Sequence, residues 1–160
     1  MTAVAHQHVG LSVADVERAA SFYVEVFGAQ WLVKPVRMGP PDAAAYMNGP
    51  EGTSFRLAMV GLPGGAFVEL FEFEGDEKPD WLRDNTGQMP HMGIQVDDVE
   101  QALTLAELRG GKRLWPEIME YGEAHVMYMH DPDGNTIELI DVPTSTLIAD
   151  VLANFPDGTP

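Results

Sequence analysis

An internal repeat constrains the fold of this chain more than any other feature of its sequence. Residues 8–19 read HVGLSVADVERA and residues 91–102 read HMGIQVDDVEQA, with seven of twelve positions identical at an offset of 83. A second pair follows in the same order, GAFVELFE at 65–72 and GNTIELID at 134–141, at an offset of 69. Two repeated segments in the same order predict two copies of one structural unit.

Both copies show the same order of elements, β-α-β-β-β. A strand with alternating apolar residues comes first, at about 5–13 and 90–97. Asp15 and Asp98 then offer N-cap oxygens to helices predicted at 16–27 and 99–109. Gly28 and the pair Gly110–Gly111 suit the left-handed conformation at their C-terminal ends. Three further strands are predicted in each copy, at 30–37, 53–61 and 65–73 and at 113–120, 123–130 and 135–141.

The repeat also divides the chain. It predicts a first module at 1–73, a polar linker at 74–90, a second module at 91–142, and a tail at 143–160 with a short helix near 143–154. The first module is longer than the second because of residues 39–52, which are rich in glycine and proline and are therefore predicted to form a loop.

Composition excludes several classes of function. With 25 acidic and 9 scattered basic residues, the net charge is −16, so neither nucleic acid nor an anionic membrane is an expected partner. The absence of cysteine excludes disulfides, zinc–thiolate sites and cysteine nucleophiles. Neither a signal peptide nor an apolar run long enough to span a bilayer is visible, which favours a cytoplasmic location.

Four residues at repeated positions form the candidate site. Side chains alternate across a strand, so His8 in a first strand and Glu69 in a last strand each have a defined face. His91 and Glu138 are their equivalents in the second copy. Taken singly, His8 is compatible with an ordinary strand histidine and Glu69 with a solvent-facing carboxylate.

The same residue types recurring in both copies favour a metal site. Glu69 alternates with three phenylalanines, and a carboxylate in such surroundings needs a partner. Two imidazoles and two carboxylates suit one divalent ion such as Zn, Ni, Co, Fe or Mn.

The segments that carry this pattern resemble a known family. They are HVGLSVADVERA followed by SFYVEVFGA, then VELFE, HMGIQVDDVE and DPDGNTIEL. Over roughly residues 5–142 they resemble the vicinal oxygen chelate superfamily, which includes glyoxalase I, methylmalonyl-CoA epimerase, extradiol dioxygenases and bleomycin-resistance proteins. The resemblance implies an α+β fold in which two tandem βαβββ modules form a cupped eight-stranded half-barrel around a metal.

By this resemblance the metal ligands are His8, Glu69, His91 and Glu138. Glyoxalase I typically has Glu at the second ligand position, as here, whereas the epimerases have Gln. The resemblance also implies a small-molecule substrate and a homodimer, with the ligands supplied by one chain or by two. No glutathione-binding or CoA-binding signature is recognisable.

The implied activity is that of a lyase or isomerase, in which the metal binds two neighbouring oxygens of the substrate and an enolate is stabilised. Glu138 or Glu69 would then move a proton at carbon, with Glu138 preferred. The alternatives are a metal-dependent dioxygenase, which would use two His and one Glu, and a non-catalytic drug-binding protein, which would lack the full ligand set.

Other residues are weaker candidates. Glu51 and Glu123 are alternative bases or solvated charges, His6 and His130 are candidates for orienting the ligands, and His125 is expected at the surface. Arg56 is either an anchor for an anionic substrate group or a surface arginine. The residues expected to line an apolar substrate pocket, or else to pack in the core, are Phe67, Phe71, Phe73, Met127 and Met129.

Overall fold

The computed structural model describes residues 7–38, 54–74 and 91–154. The chain divides into two compact units, residues 1–89 and residues 90–160. In the described ranges there are three helices and two mixed sheets, one in each unit, so the fold is α+β. The first unit has the predicted βαβββ order, and the second has it with the first strand after the helix divided in two.

The first unit is a four-stranded sheet with one helix. Strands β1 and β4 are parallel and lie side by side, and β3 and β2 continue the sheet in antiparallel fashion. The elements are β1 (His8–Ser12), α1 (Val16–Phe27), β2 (Gln30–Met38), β3 (Phe55–Gly61) and β4 (Phe67–Phe73).

The second unit repeats this arrangement, with the order β5-β9-β8-β6 and β7 also pairing with β8. Strands β5 and β9 are parallel, as β1 and β4 are. The elements are β5 (Met92–Gln95), α2 (Val99–Leu108), β6 (Lys112–Arg113), β7 (Met119–Tyr121), β8 (Ala124–His130), β9 (Thr136–Ile140) and α3 (Thr144–Asn154).

Each unit has its core between its sheet and its first helix. Helix α1 packs on β2, β3 and β4, while α2 packs on β8 and β9. We call the sheet face that carries this helix the helix face. Its fully buried strand residues are Ala58, Val60, Val68 and Leu70 in the first unit and Met127, Met129, Ile137 and Leu139 in the second.

Local signals explain the helix ends. The Asp15 side chain accepts hydrogen bonds from the backbone N–H groups of Glu17 and Arg18, both at 2.9 Å, and Asp98 accepts one from Gln101 at 2.8 Å. Gly28 ends α1 with a φ of 65°, a left-handed conformation that glycine adopts without strain. The two predicted N-caps and the glycine that ends α1 are thus confirmed.

The prediction of one continuous strand at 113–120 is wrong. The structure has two short strands there, β6 and β7, which are separated by Leu114–Ile118. Pro116 lies in this gap, and proline has no N–H with which to continue a ladder of hydrogen bonds. The Arg113 guanidinium instead donates to the carbonyl of Pro116 at 3.4 Å.

The terminal helix predicted near 143–154 is confirmed as α3, at Thr144–Asn154. Asp150 of α3 accepts a hydrogen bond from the Glu123 backbone N–H at 3.1 Å, which ties the helix to the turn between β7 and β8. Among the described helices, none has the length and apolar character that crossing a membrane requires.

Candidate functional site

The first unit brings His8 and Glu69 together. In the parallel pair of β1 and β4, Gly10 lies opposite Glu69 and His8 lies opposite Phe67. His8 Nε2 is 3.5 Å from Glu69 Oε2, with the two side chains 39% and 18% exposed. The His8 ring stacks on Phe67 at a centroid distance of 4.9 Å.

The second unit brings His91 and Glu138 together in the same way. Gly93 of β5 lies opposite Glu138 of β9, as Gly10 lies opposite Glu69. His91 Nε2 is 3.2 Å from Glu138 Oε2, with the side chains 31% and 19% exposed. The predicted equivalence of the two copies therefore extends to the contact between histidine and carboxylate.

Both pairs lie on the sheet face that points away from the helix, which we call the site face. Glu69 alternates with Val68 and Leu70, which are fully buried on the helix face, and Glu138 alternates in the same way along β9. His8, Glu69, His91 and Glu138 are all partly exposed, so a ligand could reach them. We call these four side chains the donors, because their nitrogen and oxygen atoms could bind a metal, and each histidine with its glutamate a donor pair.

Glycine next to each pair keeps the site face open. A Cβ atom on Gly10 would lie 3.1 Å from Phe71 Cε2, so the Phe71 ring occupies the space that a side chain would need. A Cβ on Gly93 would lie 3.9 Å from Glu138 Oε2, an ordinary contact.

The structure adds Tyr128, which the sequence analysis did not select. Tyr128 lies directly opposite Glu138, and its hydroxyl oxygen is 3.5 Å from His91 Nε2. Burial and the neighbouring Glu138 carboxylate raise the pKa of Tyr128 to about 12, so the phenol keeps its proton at neutral pH. The sequence contains a signal for this pairing. The tight turn at Asp131–Asn135 joins β8 to β9, and it sets the register in which Tyr128 lies opposite Glu138.

The structure corrects the prediction for Met127. Its side chain is fully buried on the helix face, opposite Leu139, and the neighbouring Met129 is equally buried there. These two methionines therefore pack in the core. Tyr128, the residue between them, has the side chain that faces Glu138.

Arg56 also lies on the helix face and not beside Glu69. It is opposite Glu72 on β4, and its guanidinium is 3.1 Å from Glu72 Oε2 and 2.6 Å from Glu17 Oε1 of α1. Glu72 Oε2 also accepts the backbone N–H of Val16 at 2.9 Å. Arg56 thus joins the sheet to the start of α1, which is a structural role and not that of a substrate anchor.

The phenylalanines predicted to contact substrate are on the site face. Phe67 and Phe71 flank Glu69 along β4 and are half-buried. Phe71 packs on Phe55 at 5.4 Å and on Phe73 at 6.2 Å between ring centroids. One side of the first donor pair is therefore an aromatic surface.

The remaining candidates have other positions. His125 pairs with Asp141 on the helix face, with 2.6 Å between Nδ1 and Oδ2. Burial acts to raise the pKa of Asp141, but hydrogen bonds from the His125 backbone and ring together lower it. His130 ends β8 opposite Thr136, and Glu123 is exposed in the turn before β8. His6, Glu51 and the loop at 39–52 lie outside the described residues.

Each unit contributes one imidazole and one carboxylate, the donor types that borderline divalent ions accept. Within residues 7–38, 54–74 and 91–154, no group of three or more His, Asp or Glu side chains is close enough together to hold an ion. The structure thus shows two separate histidine–carboxylate pairs of the same composition, one in each unit.

Comparison with known proteins gives a consistent family. The model described as "Glyoxalase/Bleomycin resistance protein/Dioxygenase superfamily" matches residues 6–139. The chain is 30% identical to a 2-epi-5-epi-valiolone epimerase from Actinomyces sp. over 88% of this chain and 81% of that protein. It is 30% identical to a trivalent organoarsenical cleaving enzyme from Bacillus sp. strain MD1, over 88% of this chain and 74% of the relative.

A probable lactoylglutathione lyase from Synechocystis sp. is 29% identical over 83% of this chain and 92% of its own length. Among solved structures, a glyoxalase family protein from Bacillus cereus matches with a TM-score of 0.73 and 15% identity, covering 88% of this chain and 95% of that one. The fosfomycin resistance protein FosX from Listeria monocytogenes, solved with Mn(II) and sulfate, matches with a TM-score of 0.58 and 16% identity, covering 92% and 99%. At these identities the two structures show likeness of fold.

Proposed function

Because this chain belongs to the glyoxalase/bleomycin resistance protein/dioxygenase superfamily, we propose that it is a divalent-metal-dependent enzyme of the lyase or isomerase type. One observation carries the proposal. The contact between His8 and Glu69 recurs between His91 and Glu138, at the same register positions of two repeated units. A purely structural role gives no reason for both units to keep an imidazole and a carboxylate there.

In this proposal, the four residues hold one divalent ion, and the substrate is a small molecule with two neighbouring oxygens. When bound, the ion would act as a Lewis acid that stabilises negative charge on those oxygens. The chain's own contribution is to fix the donors on rigid strands and to move a proton. Glu138 would take the proton from the carbon beside a carbonyl and return it, provided that its contact with the ion lengthens when substrate binds, and Glu69 is the alternative base.

The site face supports this chemistry. Phe67 and Phe71 lie beside Glu69 and would exclude water from a substrate bound there. Relatives named as an epimerase and as probable lactoylglutathione lyases agree with proton transfer as the reaction class. The substrate itself differs between those relatives, so the proposal extends to the reaction class only.

A metal-dependent oxygenase is the second candidate. It rests on the family description, which includes dioxygenases. It would use the two histidines and one of the two carboxylates, and it requires Fe or Mn and consumes O₂. A third candidate, a binding protein without catalysis, requires no metal at these donors.

The test is the metal content of the untagged protein, measured by elemental analysis beside the double variant His8→Ala, His91→Ala. We expect about one divalent ion per chain in the parent and none in the double variant. The control is His125→Ala, because His125 lies on the helix face with Asp141. No metal in the parent, even after Ni, Co, Zn, Fe and Mn are added back, would overturn both enzyme proposals and leave the binding protein.

The identity of the ion then separates the two enzymes. If the ion is Ni, Co or Zn, the next assay is exchange of carbon-bound hydrogen with deuterated solvent. If it is Fe or Mn, the next assay is oxygen uptake.

Mixing the single variants His8→Ala and His91→Ala tests whether one chain or two supply the donors. Recovery of about a quarter of the parental metal in an equimolar mixture after subunit exchange would indicate sites shared between two chains of a homodimer, because half of the dimers then pair the two variants and each of those has one intact site of two.

A further inference from the structure

The two donor pairs differ at one equivalent position. Met59 of β3 lies opposite Glu69, and Tyr128 of β8 lies opposite Glu138. The offset between residues 59 and 128 is 69, the same as the offset between the two carboxylates. One carboxylate therefore faces a thioether and the other faces a phenol.

The Tyr128 ring is held on two sides. His91 meets it edge-on, with 5.1 Å between centroids and an interplanar angle of 69°, and Trp115 lies at 5.0 Å and 55°. The hydroxyl oxygen is 3.5 Å from His91 Nε2, and that nitrogen is 3.2 Å from Glu138 Oε2. Three polar atoms thus converge in the second unit.

His8 is held by different contacts. Its ring stacks on Phe67 with an interplanar angle of 23°, and its Nδ1 is 3.1 Å from the amide oxygen of Gln7. Met59 has no proton to donate, so the residue opposite Glu69 cannot orient that carboxylate by a hydrogen bond.

Resting on the proposed function, we propose that Tyr128 is a positioning residue for the second donor pair. Its hydroxyl donates to the Glu138 carboxylate, which leaves the other lone pairs of Glu138, and Nε2 of His91, directed toward the ion. Groups that orient metal ligands in this way typically change metal affinity by about 10–100-fold. The consequence is an asymmetric site, in which the second unit holds its ligands more firmly than the first.

The experiment compares Tyr128→Phe with Met59→Leu, the matched change at the equivalent position. Co(II) is titrated into metal-free protein, its visible absorption is recorded, and the thermal unfolding midpoint of the metal-free protein is measured. We expect Tyr128→Phe to bind Co(II) about 10-fold more weakly with an altered spectrum, and Met59→Leu to stay within about 2-fold of the parent.

A phenylalanine at position 128 keeps the ring contacts with His91 and Trp115. If Tyr128 serves packing alone, Tyr128→Phe should therefore bind Co(II) with parental affinity, and that result would overturn the inference. An equal loss of Co(II) affinity in Tyr128→Phe and Met59→Leu would overturn it too. So would a loss of affinity in Tyr128→Phe that is accompanied by a fall in the thermal unfolding midpoint of the metal-free protein. Parental protein that fails to bind Co(II) would overturn the proposed function as well. Parental binding with no effect of Tyr128→Phe would overturn only the role of Tyr128.

Discussion

Arg56 and Glu72 lie directly opposite each other on β3 and β4, with 3.1 Å between Nη1 and Oε2. The same guanidinium reaches Glu17 of α1, and Glu72 accepts the first helical N–H of that helix from Val16. The second unit has His125 opposite Asp141 at the equivalent positions. Each unit therefore places a contact between a basic side chain and a carboxylate on its helix face, away from the pair formed by the site histidine and glutamate.

This relationship predicts that Arg56→Met affects stability and not ligand binding. The variant leaves Glu17 and Glu72 without their cation, so the thermal unfolding midpoint should fall by a few degrees while Co(II) affinity stays parental. Both quantities can be measured on one preparation, with Lys112→Met on the exposed start of β6 as the control. Weaker Co(II) binding at a parental midpoint would contradict the structural role of Arg56.

Alanine substitutions at the equivalent positions Gly10 and Gly93 should differ in their effect on the free energy of unfolding. Gly10→Ala places a Cβ 3.1 Å from the Phe71 ring, so the ring must move, and overpacking of this kind costs about 1–3 kcal/mol. Gly93→Ala meets only an ordinary contact with Glu138, so its effect on the free energy of unfolding should be within about 0.5 kcal/mol. Denaturant titration of both variants measures the difference. Equal losses of unfolding free energy in the two variants would show that the close contact between a Cβ at position 10 and the Phe71 ring has no cost of its own.

Glu74 predicts a pH dependence of stability. Hydrogen bonds from Arg37 first, and then from Ser54, lower the pKa of Glu74 from 4.5 to about 2. A lowered carboxyl pKa contributes stability that is present above the unfolded pKa and is lost as pH falls through the folded value. The midpoint of Glu74→Gln should therefore lie below the parental one at pH 6, with the difference shrinking between pH 4.5 and pH 2.

The check is a series of thermal unfolding midpoints for the parent and Glu74→Gln from pH 2 to pH 7, with Glu117→Gln as an exposed-carboxylate control. A difference that stays constant over this range would show that the contact between Arg37 and Glu74 does not stabilise the folded unit.

The repeat predicted the fold because it encodes local structure twice. Asp15 and Asp98 are recognisable caps, and the alternation around Glu69 and Glu138 is visible without knowledge of any partner strand. Pro116 was the exception, since its effect on the strand predicted at 113–120 depends on whether a neighbouring strand needs its missing N–H.

By itself, the sequence determined the two βαβββ units, their helix caps, and the four donors His8, Glu69, His91 and Glu138 as equivalent residues. Only the tertiary structure decided which residues of β3 and β8 lie on the same sheet face as Glu69 and Glu138. Alternation along a strand defines two faces, but the register with the neighbouring strand determines which of them meets Glu69 or Glu138. For this reason Arg56 and Met127 are on the helix face, and Tyr128 is beside Glu138.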